Sequence, residues 1–206
     1  MSVGRADRGS HPRGRVVVIS GPSGGGKTTV VERLRRRMPQ LIRSVSVTTR
    51  RPRPGERSGR DYRFVSPAVF ERLKRTGRLL EWALVHGAWY GTPRRTIARA
   101  IAQSRSVILS IDVQGARKVR RALGHDAVLI FLLPPSMVKL RQRLLGRKTD
   151  TPAQIRRRLA AAKRELACAV WYDHRVVNDR LDHAVRQVKA IVSAQSVARR
   201  HRMQRT

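Results

Sequence analysis

Gly21, Pro22, Ser23, Gly24, Gly25, Gly26, Lys27, Thr28 and Thr29 run consecutively and fit the pattern G-x-x-x-x-G-K-[ST]. Glycines let successive backbone N–H groups converge into a nest for phosphate oxygens, and a helix beginning there adds its partial positive charge. Lys27 is placed to reach the β and γ phosphates of a nucleoside triphosphate, and the Thr28 hydroxyl to ligate Mg²⁺. The flanks suit the motif. An apolar run, Arg15 to Ser20, precedes it, and a helical stretch from Lys27 to about Met38 follows, stopped by Pro39. These residues specify a triphosphate and leave its acceptor open.

Charge alone does not choose that acceptor. The 206 residues hold 46 Lys and Arg against 13 Asp and Glu, a net charge of +33, and 39 of the 46 cations are Arg. Such a surface asks for anions: nucleotides, nucleic acid or acidic membrane. Arg binds phosphate in a planar, bidentate way, although most charge runs are simply solvated faces. Sequence-independent, salt-sensitive nucleic-acid association, alone or as a second activity, is a further alternative that the charge leaves open. Aromatic residues make up only 4% of the chain, so stacking platforms for single strands are scarce. No apolar run approaches 18 residues, which excludes a conventional transmembrane helix. The basic N-terminus lacks an apolar signal core, and Cys168 alone cannot build a disulfide framework, so a cytoplasmic location is expected. The six His show no metal-ligand spacing.

The elements that must position the motif alternate between strand and helix. Buried strands are read at 15–20, 41–47, 107–111, 127–132 and 174–177. Helices are read at 27–38, 67–77, 94–103, 114–122, 136–145, 152–170 and 181–199. Ser136 is a good N-cap, and Pro152 suits a first helical turn. Residues 79–85 read as mixed, and 49–66, rich in Arg, Pro and Gly, cannot be a regular helix. The pattern is α/β with a central parallel sheet, interrupted by an inserted subdomain at 46–92. A length near 200 residues suggests one domain.

Further segments carry a resemblance. Ser44-Val-Ser-Val-Thr-Thr-Arg-Arg-Pro-Arg-Pro-Gly-Glu56 with Gly59-Arg-Asp-Tyr62 resembles the monophosphate-binding segment of guanylate kinases. Leu80-Glu-Trp82, Tyr90-Gly-Thr92, Ile111-Asp-Val-Gln-Gly115, Arg143-Leu-Leu-Gly-Arg147, Arg158-Leu159 and Val177-Asn-Asp179 follow in family order, over about residues 15–195. The resemblance implies a P-loop kinase fold with a core at 15–45 and 93–200, a GMP-binding subdomain at 46–92 and a small lid at about 146–158. Tails at 1–14 and 201–206 flank the domain. It implies ATP-dependent phosphorylation of GMP, with dGMP accepted too, by a monomer or homodimer that uses Mg²⁺. Arg50, Arg53 and Tyr62 would hold the GMP phosphate. Glu81 would pair with the two donors of the guanine edge, Ser46 would contact O6, and Tyr90 and Thr92 would line the same pocket. Lys27 would be catalytic, together with the lid residues Arg147 and Arg158 closing on the transferring phosphoryl group. Arg143 and Asn178 would lie near the adenine. Asp112 would orient a water on the metal.

The sequence also departs from the family. Leu109-Ser-Ile-Asp112 stands where two acids are usual, so Ser110 supplies no charge. Lys148 replaces a common glycine, and Leu84 replaces a common acid. Two alternatives share the fold: a non-catalytic guanylate kinase-like binding module, and a P-loop kinase with another acceptor. Intact Lys27 and Thr28 speak against the first, and Glu81 with Ser46 against the second.

Overall fold

A computed structural model describes residues 14–146 and 151–203, with side-chain surroundings to 194. Arg147 and Lys148 lie outside the described residues, as do 1–13 and 204–206 of the expected tails.

Five parallel strands form the central sheet: β1 (Val16–Ser20), β2 (Ile42–Arg43), β7 (Val107–Ser110), β8 (Ala127–Leu133) and β9 (His174–Val177), in the order β2-β7-β1-β8-β9. Every residue of β1 is buried, because helices cover both faces of the sheet. Alternate side chains serve opposite layers. Val17, Ile19, Ile108 and Ile130 pack on α1 (Lys27–Arg37) and α7 (Leu181–Met203), through Val30, Leu34, Val185 and Val188. Val16, Val18, Leu109 and Phe131 face α3 (Arg94–Ala102) and α4 (Val113–Leu123), through Ile97, Ala116 and Val119. The chain leaves β1 into the glycine-rich loop and leaves β7 into Ile111-Asp112. Two neighbouring strands thus deliver their chemistry to one edge, where open α/β sheets bind ligands.

A second sheet is built from residues 47–93. Its strands are β3 (Val47–Thr48), β4 (Arg63–Phe64), β5 (Leu79–Val85) and β6 (Ala88–Pro93), ordered β4-β3-β6-β5, with α2 (Pro67–Arg75) packed on it through Phe70. The single strand expected at 41–47 is in fact divided between the two sheets. The Ser44 N–H still bonds Ile108 of the core, whereas the Ser46 carbonyl already accepts from Arg63. An extended pattern reads alike on either side of such a change of partner, so periodicity cannot detect it. The mixed segment 79–85 is a full strand, and β6 is a strand that Gly91 and Pro93 had masked. His86 (φ 49°) and Gly87 (φ 83°) join β5 to β6, both in the left-handed region that two-residue hairpin turns require.

Finally, α5 (Met137–Leu145) and α6 (Pro152–Ala167) pack through Leu140, Leu144, Ile155 and Ala162. Thr151 and Gln154 form a reciprocal cap that fixes where α6 starts. Among the described residues, no helix is long and apolar enough to cross a membrane.

Candidate active site

A cleft of about 530 Å³ runs from the glycine-rich loop to the second sheet. At its first end, the loop ends as α1 begins at Lys27. Gly26 there has φ 90°, and a Cβ on it would stand 2.3 Å from Nδ2 of Asn178, so glycine is required twice over. That Asn178 amide donates to the Gly25 carbonyl at 2.8 Å, and Arg143 Nη2 donates to the Asn178 carbonyl at 2.8 Å. Asn178 therefore braces the loop directly and Arg143 holds the Asn178 backbone in turn, while Pro22 and Gly25 are themselves buried. Lys27 Nζ lies over the loop and donates to the carbonyls of Gly21 and Pro22. Gly21, Ser23, Gly24, Gly26, Thr28 and Thr29 face the cleft with it. Arg158 reaches in from α6, with Nη1 donating to Ser23 Oγ at 3.2 Å.

At the other end stands a clamp of cations and phenols. Arg50 Nη2 donates to both oxygens of Glu56, at 2.8 and 2.9 Å, and its Nε donates to Tyr90 Oη at 3.1 Å. Its guanidinium also lies 5.4 Å from the centre of the Tyr62 ring. Burial alone disfavours the Arg50 charge, but the bonds to Glu56 and Tyr90 outweigh it and hold its pKa above the ordinary value. Burial likewise works against ionised Glu56, and the bonds from Arg50 and the Arg53 N–H overcome it, holding its pKa low. Glu56 is thus a site residue that the sequence did not single out. Its signal was its place, closing the Pro-Arg-Pro-Gly turn.

Between the ends, where the two sheets meet, sits Glu81. It is 2% exposed on β5, and its Oε1 accepts from Thr92 Oγ1 across the hairpin at 2.6 Å. Its Oε2 lies where a Cβ on Gly115 would be, 2.5 Å away, at the start of α4. Burial, with the nearby Asp112 charge, pushes the Glu81 carboxyl up to about 7, against the Thr92 bond and the Lys118 charge. Thr92 is fully buried behind Glu81 and does not face the cleft, whereas Ser46 and Tyr90 do. Asp112 caps α4 by accepting the Gly115 N–H at 3.0 Å, and lines the cleft beside Ser110.

Two sub-sites, one built for a chain of phosphates and one for a planar group bearing paired donors, thus share one cleft. The Guanylate kinase family profile matches residues 13–195.

The chain belongs to the guanylate kinase family.

A guanylate kinase of Gloeobacter violaceus is 50% identical over 88% of this chain and 88% of its own. One from Cutibacterium acnes is 51% identical over 86% of this chain and 89% of its own. The crystal structure of guanylate kinase from Anaplasma phagocytophilum superposes with a TM-score of 0.76 at 34% identity, covering 90% of this chain and 87% of that one. The parallel core with a phosphate loop after its central strand is the P-loop kinase fold of this guanylate kinase.

Proposed function

We propose that the chain transfers the γ-phosphoryl group of ATP to the phosphate of GMP, giving ADP and GDP, and accepts dGMP in the same way. The observation that carries this reading is the buried Glu81 carboxylate at the guanine end of a cleft whose other end is the phosphate loop. Guanine offers two adjacent donors, N1–H and N2–H₂, which a carboxylate can accept together; adenine offers no such edge. Ser46 suits O6.

The chemistry asks for positioning and charge more than for covalent work. Loop N–H groups and Lys27 bind the β and γ phosphates. Arg50, Arg53 and Tyr62 bind the GMP phosphate, and the Glu56 clamp orders Arg50 in advance. Arg158, with Arg147, neutralises the equatorial oxygens as the phosphoryl group moves. An ionised GMP phosphate needs no general base. Residues 46–92 and a lid near 146–158 exclude water by closing over both nucleotides. Mg²⁺ would suit the hard oxygen donors near the loop, the Thr28 hydroxyl and the Asp112 carboxylate, and would supply positive charge against the triphosphate. The family and the lack of a membrane-spanning helix among the described residues agree with a cytoplasmic place of action.

ADP release measured across GMP, dGMP, AMP and a sugar phosphate tests this reading. GMP and dGMP should turn over, and Lys27→Ala should lower kcat by about 10²–10³-fold with the fold intact. Absence of GMP turnover would overturn it, and turnover untouched by Lys27→Ala would overturn the loop's part in it.

A further inference from the structure

Helix α6 sends two side chains of opposite charge into the cleft. Arg158 and Glu165 stand seven residues apart, on one face and about 10.5 Å apart along the axis. The charged residues on the outer face of the same helix are all cations: Arg156, Arg157, Lys163 and Arg164 are exposed. Glu165 is the one acid of α6, and it points inward.

Its surroundings are unusual for a carboxylate. Glu165 is partly buried and accepts no side-chain hydrogen bond among the described residues; the charges around it are those of Lys27 and Asp112. A carboxylate drawn out of water beside a second carboxylate needs donors or a cation. Lys27 cannot serve once its ammonium moves onto phosphate oxygens. Other acids of the cleft are already engaged: Glu56 by Arg50, Asp61 by the Arg57 N–H and Arg60, and Glu81 by Thr92. Asp112 has one oxygen committed to the Gly115 N–H, and the neighbouring Ser110 is neutral.

Mg²⁺ dehydrates reluctantly and keeps several waters, whose protons need acceptors. Building on the Mg·ATP reading above, we propose that Glu165 accepts hydrogen bonds from metal-bound water together with Asp112, and so fixes the metal against the phosphate loop. It is a positioning residue, acting through water and not on the phosphoryl group. One helix then supplies both the cation that meets the transferring phosphate and the anion that steadies the metal beside it. In this chain Glu165 also provides the second negative charge that Ser110 lacks.

The test uses Mn²⁺ as the probe, with free Mn²⁺ read by electron paramagnetic resonance in titrations of the full chain saturated with ADP. Glu165→Gln should weaken Mn²⁺ binding about tenfold. Metal-free ADP affinity should stay the same or tighten, since a negative charge beside the phosphates has gone. Glu165→Asp should fall between the two and keeps the test open if the Gln variant fails to fold. Unchanged Mn²⁺ affinity in the variants would overturn the proposal. So would an equal loss of metal-free ADP affinity, the mark of a merely structural residue. A wild type that binds ADP with no Mn²⁺ contribution would instead overturn the Mg·ATP reading on which the proposal rests.

Discussion

Glu81→Gln separates recognition from stability, because the two should move in opposite directions. Ionised Glu81 can accept both guanine donors, whereas a glutamine carbonyl accepts one and turns its NH₂ toward the other. A hydrogen bond to a charged group contributes about 1.5–3 kcal/mol, and a buried donor left unpaired costs about 1–3 more. A loss of roughly 3–4 kcal/mol corresponds to about 10²–10³-fold in kcat/KM for GMP. Stability runs the other way. The Glu81 carboxyl rises from 4.5 to about 7 on folding, so the folded chain holds its proton more tightly than the unfolded one. The contribution of Glu81 to stability is therefore most favourable below pH 4.5, falls as pH climbs to 7, and has lost about 3 kcal/mol above that. Glutamine carries no such penalty. At pH 8 the variant should melt about 6–12 °C higher than wild type, and near pH 5 the gap should close. Wild-type kcat/KM for GMP should also fall about tenfold per pH unit below 7, while the variant keeps only the limb of the GMP phosphate itself, near pH 6. Coupled ADP-release kinetics and thermal melts at both pH values decide the matter. A variant within about threefold of wild type for GMP, or one less stable at pH 8, would refute the reasoning.

Glu56→Gln should loosen the Arg50 clamp and raise the KM for GMP about tenfold, with kcat changed less, as initial-rate kinetics would show. Asn178→Ala removes the bond to the Gly25 carbonyl; it should cost about 1–2 kcal/mol of stability and weaken ATP binding, measured by denaturant melts and nucleotide titration. The surplus of cations should give affinity for RNA or DNA that falls linearly on a log–log salt plot, and binding unchanged from low to high salt would contradict an electrostatic origin.

The phosphate-loop motif was legible because its sequence determinants are local, a buried strand, a glycine run and a helix start within about a dozen residues, whereas its brace, Asn178, is distant in the chain. At the Glu81 end of the cleft the residue types were legible but the architecture was not. Glu81 and Thr92 meet only because β5 and β6 form a hairpin, and its turn, His86-Gly87, is a weaker signal than Asn-Gly. Thr92 is accordingly a buried partner of the Glu81 carboxylate. Asn178 and Arg143 were expected near a nucleotide and sit against the loop that would hold it, a distinction only tertiary packing can make. Glu165 gave no sequence signal beyond being a lone acid in a basic helix, since its neighbours Lys27 and Asp112 come from distant parts of the chain.

The division of residues 41–47 between two sheets sets the hairpin apart from the parallel core in its backbone pairing. Ser44–Ser46 and the Pro93–Arg94 step are the covalent joints between the second sheet and the core, and the register of the five parallel strands does not pass through either strand of the hairpin. A subdomain that reads a different base could be grafted at those two joints, with the triphosphate machinery left untouched. The core would impose conditions on the graft, because Leu80 of β5 packs into its hydrophobic layer and Lys118 and Gln114 of α4 donate to the carbonyls of Trp82 and Leu84. A residue larger than glycine at 115 would also require the grafted strand to carry something smaller than Glu81, whose carboxylate a Cβ there would meet at 2.5 Å.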